Sequence, residues 1–88
     1  MTIENCITKI IEKIPKGVMF DSHYVINQLI FHYHEEYLTF ANNNTLSTHG
    51  FLAQEISKLK KLVKKQHSQS FSENINRKGS TCALWQKL

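Results

Sequence analysis

The first patterned stretch covers residues 3–14, where Ile3, Ile7, Ile10, Ile11 and Ile14 recur at helical spacing. At 100° per residue these five fall within about 100° of arc, so the spacing predicts a helix with one buried face. Thr2 stands at the N-cap position, and Pro15-Lys16-Gly17 ends the helix and turns the chain. Val18-Met19-Phe20 is a short extended piece, either a small edge strand or core filling. Asp21 or Ser22 then caps a second, long helix over residues 22–41, with a main stripe of Ile26, Leu29, Ile30, Tyr33, Tyr37 and Phe40.

That second helix carries another stripe on its opposite side, Tyr24, Phe31 and Leu38. A small domain rarely buries both faces of one helix. The stripe is therefore covered either by another segment of the chain or by a protein partner, such as a second copy forming a homodimer. Asn42-Asn43-Asn44 ends the helix, and Ser47 or Thr48 opens a third over residues 48–66. Its core stripe is Leu52, Ile56, Leu59 and Val63, with Phe51 and Leu62 at the margin. The far side presents Gln54, Ser57, Lys61 and Lys64, flanked by Lys58, Lys60 and Lys65.

Beyond Gln66 the period changes. Residues 70–76 alternate, with Phe71, Glu73 and Ile75 on one side; Arg77-Lys78-Gly79 makes a turn in which Gly79 is available for positive φ. Residues 80–88 predict the return strand, with Cys82 and Leu84 on one face and Ala83 and Trp85 on the other. Trp85 is expected in the core. The fold class that follows is α+β: a three-helix core followed by a C-terminal β-hairpin, in a single domain over residues 1–88.

The composition excludes several classes. With 88 residues, 41% of them apolar, three Gly and one Pro, the chain is neither disordered nor low-complexity. No apolar run approaches a membrane span, and the N-terminus lacks the basic start and apolar stretch of a signal peptide, so a soluble cytoplasmic domain is expected. Cys6 and Cys82 lie near opposite ends with no C-x-x-C pattern, which leaves a thiolate zinc site without its ligands. Two reduced, buried thiols are expected rather than a single bridge.

Charge changes the picture more. The net charge is +4, but it is unevenly placed. Residues 1–55 carry three Lys against six acidic groups, a net −3, whereas residues 56–88 carry eight basic groups against Glu73, a net +7. An acidic front and a basic back suit a molecule with one anion-facing side.

Three helices, the second and third joined by a short turn, the amphipathic stretch Thr48–Lys65 and a hairpin with Arg77-Lys78-Gly79 at its tip together resemble the winged helix-turn-helix superfamily. The resemblance covers about residues 3–87 and rests on element order. It implies that the third helix enters the major groove of double-stranded DNA and that Arg77 and Lys78 meet the backbone or minor groove. Independently of it, Lys58, Lys61, Lys64 and Lys65 have the chemistry to neutralise phosphates, Gln54 and Ser57 to reach base edges, and Thr48 at the helix start to hold a phosphate. The function expected is a small transcriptional regulator. The alternative is a protein-interaction module that keeps the frame without binding DNA, with Tyr24, Phe31 and Leu38 as its interface.

Enzyme and metal readings find little. Nucleophile elbows, Gly-rich phosphate loops and H-E-x-x-H motifs are absent from the sequence. Asp21-Ser22-His23 are neighbours in sequence, which is not how a nucleophile, base and orienter meet in space. His32 and His34 lie about 200° apart on a helix and cannot share an ion, so no metal site and no cofactor is expected.

Overall fold

A computed structural model of the chain describes residues 2–43, 48–74 and 76–88. Helix α1 (Ile3–Glu12) opens on Thr2, whose side-chain oxygen accepts from the Asn5 amide at 3.1 Å. Cys6, Ile7, Ile10, Ile11 and Ile14 are buried, so the isoleucine stripe is the face that meets the core. Gly17 turns the chain at φ +86°, and strand β1 (Met19–Asp21) follows. The turn is stapled to the far end of the chain: the Gly17 amide donates to the Lys87 carbonyl at 2.8 Å, and the Lys87 amide to Val18 at 2.9 Å. Asp21 is the N-cap of α2 (Ser22–His32), accepting from the Tyr24 amide at 2.8 Å.

The long second helix of the sequence pattern is two helices. Tyr33 leaves helical geometry at φ −133°, ψ 49°, and α3 (His34–Asn43) continues beyond it. The residues around the break, Ile30-Phe31-His32-Tyr33-His34, are β-branched or aromatic, with modest helix propensity. Tyr33, Tyr37 and Phe40 remain packed against the core. Tyr24 and Phe31 thus lie on α2 and Leu38 on α3, and all three are exposed, at 43%, 81% and 44%. Covering by another segment of the chain, one of the two expected arrangements, does not occur among the described residues.

The third helix is also shorter than expected. Helix α4 spans Thr48–Ser57 and buries Leu52 and Ile56. Residues 58–62 form successive turns, with Leu59 and Leu62 amides donating back to Ile56 and Leu59 carbonyls at 3.0 and 2.9 Å. Strand β2 (Val63–Glu73) starts where the pattern still suited a helix. Val63 is buried in either geometry, so hydrophobic spacing does not separate the two; pairing with the last strand decides it. The residues expected at Asn44, Ser47 and Ile75 lie outside the described residues.

Strand β3 (Gly79–Lys87) is central in a three-stranded antiparallel sheet of order β1-β3-β2. Phe20 pairs with Trp85, and Val63 with Lys87. Between Lys65 and Gln69 the register shifts by two residues, a bulge in β2. Phe20, Val63 and Trp85, one from each strand, close the core beneath the four helices. Trp85 is 2% exposed, as expected, and its indole N–H donates to the Ser22 hydroxyl at 3.1 Å. Among the described residues the fold is α+β with four helices, and the terminal hairpin is extended by β1 into a sheet. Both cysteines are free; Cys6 is buried and Cys82 half-buried.

At the hairpin tip the positive φ belongs to Arg77, at 60°, and not to Gly79. Asn74 organises the turn: its side-chain oxygen accepts from the Asn76 and Lys78 amides at 2.9 and 3.2 Å. A Cβ at Gly79 would sit 2.5 Å from the end of the Phe71 ring, an exposed side chain that can swing aside, so neither conformation nor space ties this position to glycine. Among the described residues no helix is long and apolar enough to cross a membrane.

Candidate nucleic-acid interface

The basic residues divide among three elements. Lys58 follows α4 directly and pairs with Glu55 at 2.9 Å, the one ion pair among the described residues. Lys60 and Lys61 lie in the turns, and Lys64 and Lys65 on the first part of β2; all four are exposed. The expected single helical face of lysines is therefore not formed, because Lys61, Lys64 and Lys65 lie beyond the end of α4. Consecutive strand residues project to opposite faces, so Lys64 and Lys65 diverge. The cations nevertheless stay contiguous along the chain from α4 into β2, and Arg77 and Lys78 are exposed at the other end of the same strand pair.

Gln54 and Ser57 are exposed on α4, but in its last turn, since the helix ends at Ser57. The Ser57 hydroxyl donates to the Gln54 carbonyl at 2.6 Å, which engages it within its own helix. The exposed residues of the first half of α4 include Gly50 and Phe51, the latter 40% exposed. Thr48 is the first residue of the helix, and its side chain lies outside the described part.

The inner face of the hairpin has a chemistry that the linear pattern does not reveal. Ser70 pairs with Cys82, and Ser72 with Ser80, so these four share one face, and all are half-buried. They meet the start of α2. The Ser70 hydroxyl donates to Asp21 Oδ2 at 2.7 Å; Ser72 Oγ lies 2.7 Å from His23 Nδ1, and Ser80 Oγ 3.4 Å from His23 Nε2. Burial alone would raise the Asp21 carboxyl, but hydrogen bonds from Ser70, the Tyr24 amide and Ser72 outweigh it and hold the carboxyl below its ordinary range. Asp21, His23 and Cys82 bring three metal-ligating atoms within 4.8 Å of one another. Asp21 and His23 are visible together in the sequence; Cys82 joins them only through the pairing of β3 with β1 and β2.

His49 is in the first turn of α4, as expected, and lies 3.0 Å from the Tyr37 hydroxyl through Nε2. Burial, with the nearby His23 as a smaller cause, lowers its pKa below 6.5. Burial and then the Glu36 charge push the Cys6 thiol up, which keeps that cysteine unreactive. Comparison with protein-family models, with curated proteins and with solved structures finds no match to this chain.

Proposed function

We propose that the chain is a small DNA-binding protein of winged-helix type, acting as a transcriptional regulator, with α4 in the major groove and the hairpin tip on the backbone or minor groove. The observation that carries this reading is the run of exposed cations leading from the end of α4 through Lys60 and Lys61 to Lys64 and Lys65, with Arg77 and Lys78 at the tip of the hairpin that follows. None of these six has an ion-pair partner among the described residues. Lysines held in this way neutralise phosphates and release counterions, which favours affinity for duplex over discrimination between sequences. Gln54 is the remaining candidate for a base edge, since Ser57 is engaged within its helix.

The test is fluorescence anisotropy of a labelled generic duplex at about 50 and 200 mM salt. About five phosphate contacts give a slope of log K against log salt near −4 to −5. Absence of binding at tens of micromolar protein in low salt rejects the reading.

A second reading is a protein-interaction module on the same frame. It is favoured by one observation: Phe31, 81% exposed on α2, with Tyr24 and Leu38 also exposed. Self-association that is lost in Phe31→Asp, without duplex binding, would select it.

A further inference from the structure

The face of the hairpin that meets the start of α2 holds side chains that the nucleic-acid reading does not use. Asp21 at the end of β1, His23 in the first turn of α2 and Cys82 on β3 come from three different elements, and all three are half-buried. We propose that Asp21, His23 and Cys82 form a binding site for a divalent transition metal of the zinc class. The proposal goes beyond DNA binding and stands independently of it.

The donor set selects the metal. One carboxylate oxygen, one imidazole nitrogen and one thiolate sulfur suit borderline-soft ions, whereas calcium and magnesium take oxygen alone. Zinc bonds of 2.0–2.3 Å in a tetrahedron set neighbouring donors about 3.3–3.7 Å apart. The three donors lie within 4.8 Å of one another, so closing on an ion requires inward movement of about 1 Å at most, within reach of side-chain rotation.

The surroundings also match. Ligating groups are oriented by outer hydrogen bonds. Here Ser70 and the Tyr24 amide hold the two Asp21 oxygens at 2.7 and 2.8 Å, and Ser72 lies 2.7 Å from His23 Nδ1. The tautomer that donates Nδ1–H to Ser72 leaves the Nε2 lone pair for the metal, with Ser80 at 3.4 Å its weak competitor. A cavity of about 230 Å³ opens beside the cluster, bordered by Ser22, His23, Ala53 and Cys82, with room for water as a fourth ligand. His49 lines the same cavity but stays bound to Tyr37. Metal entry displaces the Cys82 thiol proton to water, and the ion then ties β1, α2 and β3 together.

The competing account is a purely structural polar clamp, in which the same hydrogen bonds seat the hairpin and no ion binds. Cobalt(II) titration of the tag-free, chelator-treated full chain separates the two. The expected result is one equivalent bound, with thiolate-to-cobalt charge-transfer absorption that zinc displaces. Cys82→Ser loses the band and Cys6→Ser keeps it, while Ser72→Ala weakens zinc binding about tenfold. In the unmodified chain, zinc should protect Cys82 from alkylation, with the buried Cys6 unreactive in both states, a readout that needs no variant to fold. Absence of the thiolate band, a band that survives Cys82→Ser in folded protein, or unprotected Cys82 at saturating zinc each overturns the proposal.

Discussion

The Trp85 indole donates its N–H to the Ser22 hydroxyl at 3.1 Å inside the core, joining the central strand to the first turn of α2. Ser22 is itself 3% exposed, so the pair is shielded from bulk solvent. Ser22→Ala leaves a buried donor unpaired and should cost about 1–3 kcal/mol. For a domain of this size that lowers Tm by roughly 4–8 °C per kcal/mol. Trp85 is the sole tryptophan, so intrinsic fluorescence follows the loss directly. An unchanged Tm would mean the bond contributes no net stability.

Neutralising the cations tests the interface. Lys61→Gln with Lys64→Gln should weaken duplex binding for all sequences and flatten the salt slope by about 0.9 per lysine in contact with phosphate. Both residues are exposed, so stability should change by less than about 0.5 kcal/mol. An unchanged slope would remove both residues from the interface.

Arg77 separates stability from binding at a single position. It holds φ +60°, a conformation that costs a side-chain-bearing residue about 1–2 kcal/mol and glycine little. Arg77→Gly should therefore leave thermal stability equal or higher, by up to about 1 kcal/mol after the entropy of the unfolded chain is counted. If the tip touches DNA, the same variant binds more weakly and with a shallower salt slope. A destabilised Arg77→Gly would contradict the conformational argument.

His49 sets a pH dependence. Its folded pKa lies below 6.5, chiefly through burial, so the unfolded chain binds the proton more readily than the folded one. Its contribution is fully present above pH about 6.5 and is lost as pH falls toward the lowered folded value. Urea midpoints measured at pH 7.5 and 5.5 should fall with acid, and the fall should be smaller in His49→Gln. Equal falls in both proteins would assign the effect to other groups.

Residues governed by local chemistry were legible in the sequence. Thr2 and Asp21 cap where their side chains predict, the isoleucine stripe of α1 is the buried face, and the turn at Arg77-Lys78-Gly79 falls in place. The break at Tyr33 and the end of α4 at Ser57 were not legible. Both lie within runs whose spacing continues a helix, and what ends them is distant: core packing around Tyr33 and Tyr37, and the pairing of Val63 with Lys87. The lysine cluster showed where the cations are but not which element would carry them. The Asp21–His23–Cys82 group depends wholly on strand pairing, so no spacing in the chain announces it.

The bulge between Lys65 and Gln69 divides the hairpin into a fixed base and a projecting arm. Five strand residues beyond it, at about 3.3 Å each, make a lever of about 17 Å before the turn. The angle of that lever is set by two side-chain hydrogen bonds to the start of α2, Ser70 to Asp21 and Ser72 to His23, rather than by the strand ladder alone. Where Arg77 and Lys78 reach is thus decided along the arm, by a carboxylate near its start and by an imidazole one rung below the pair that opens the turn.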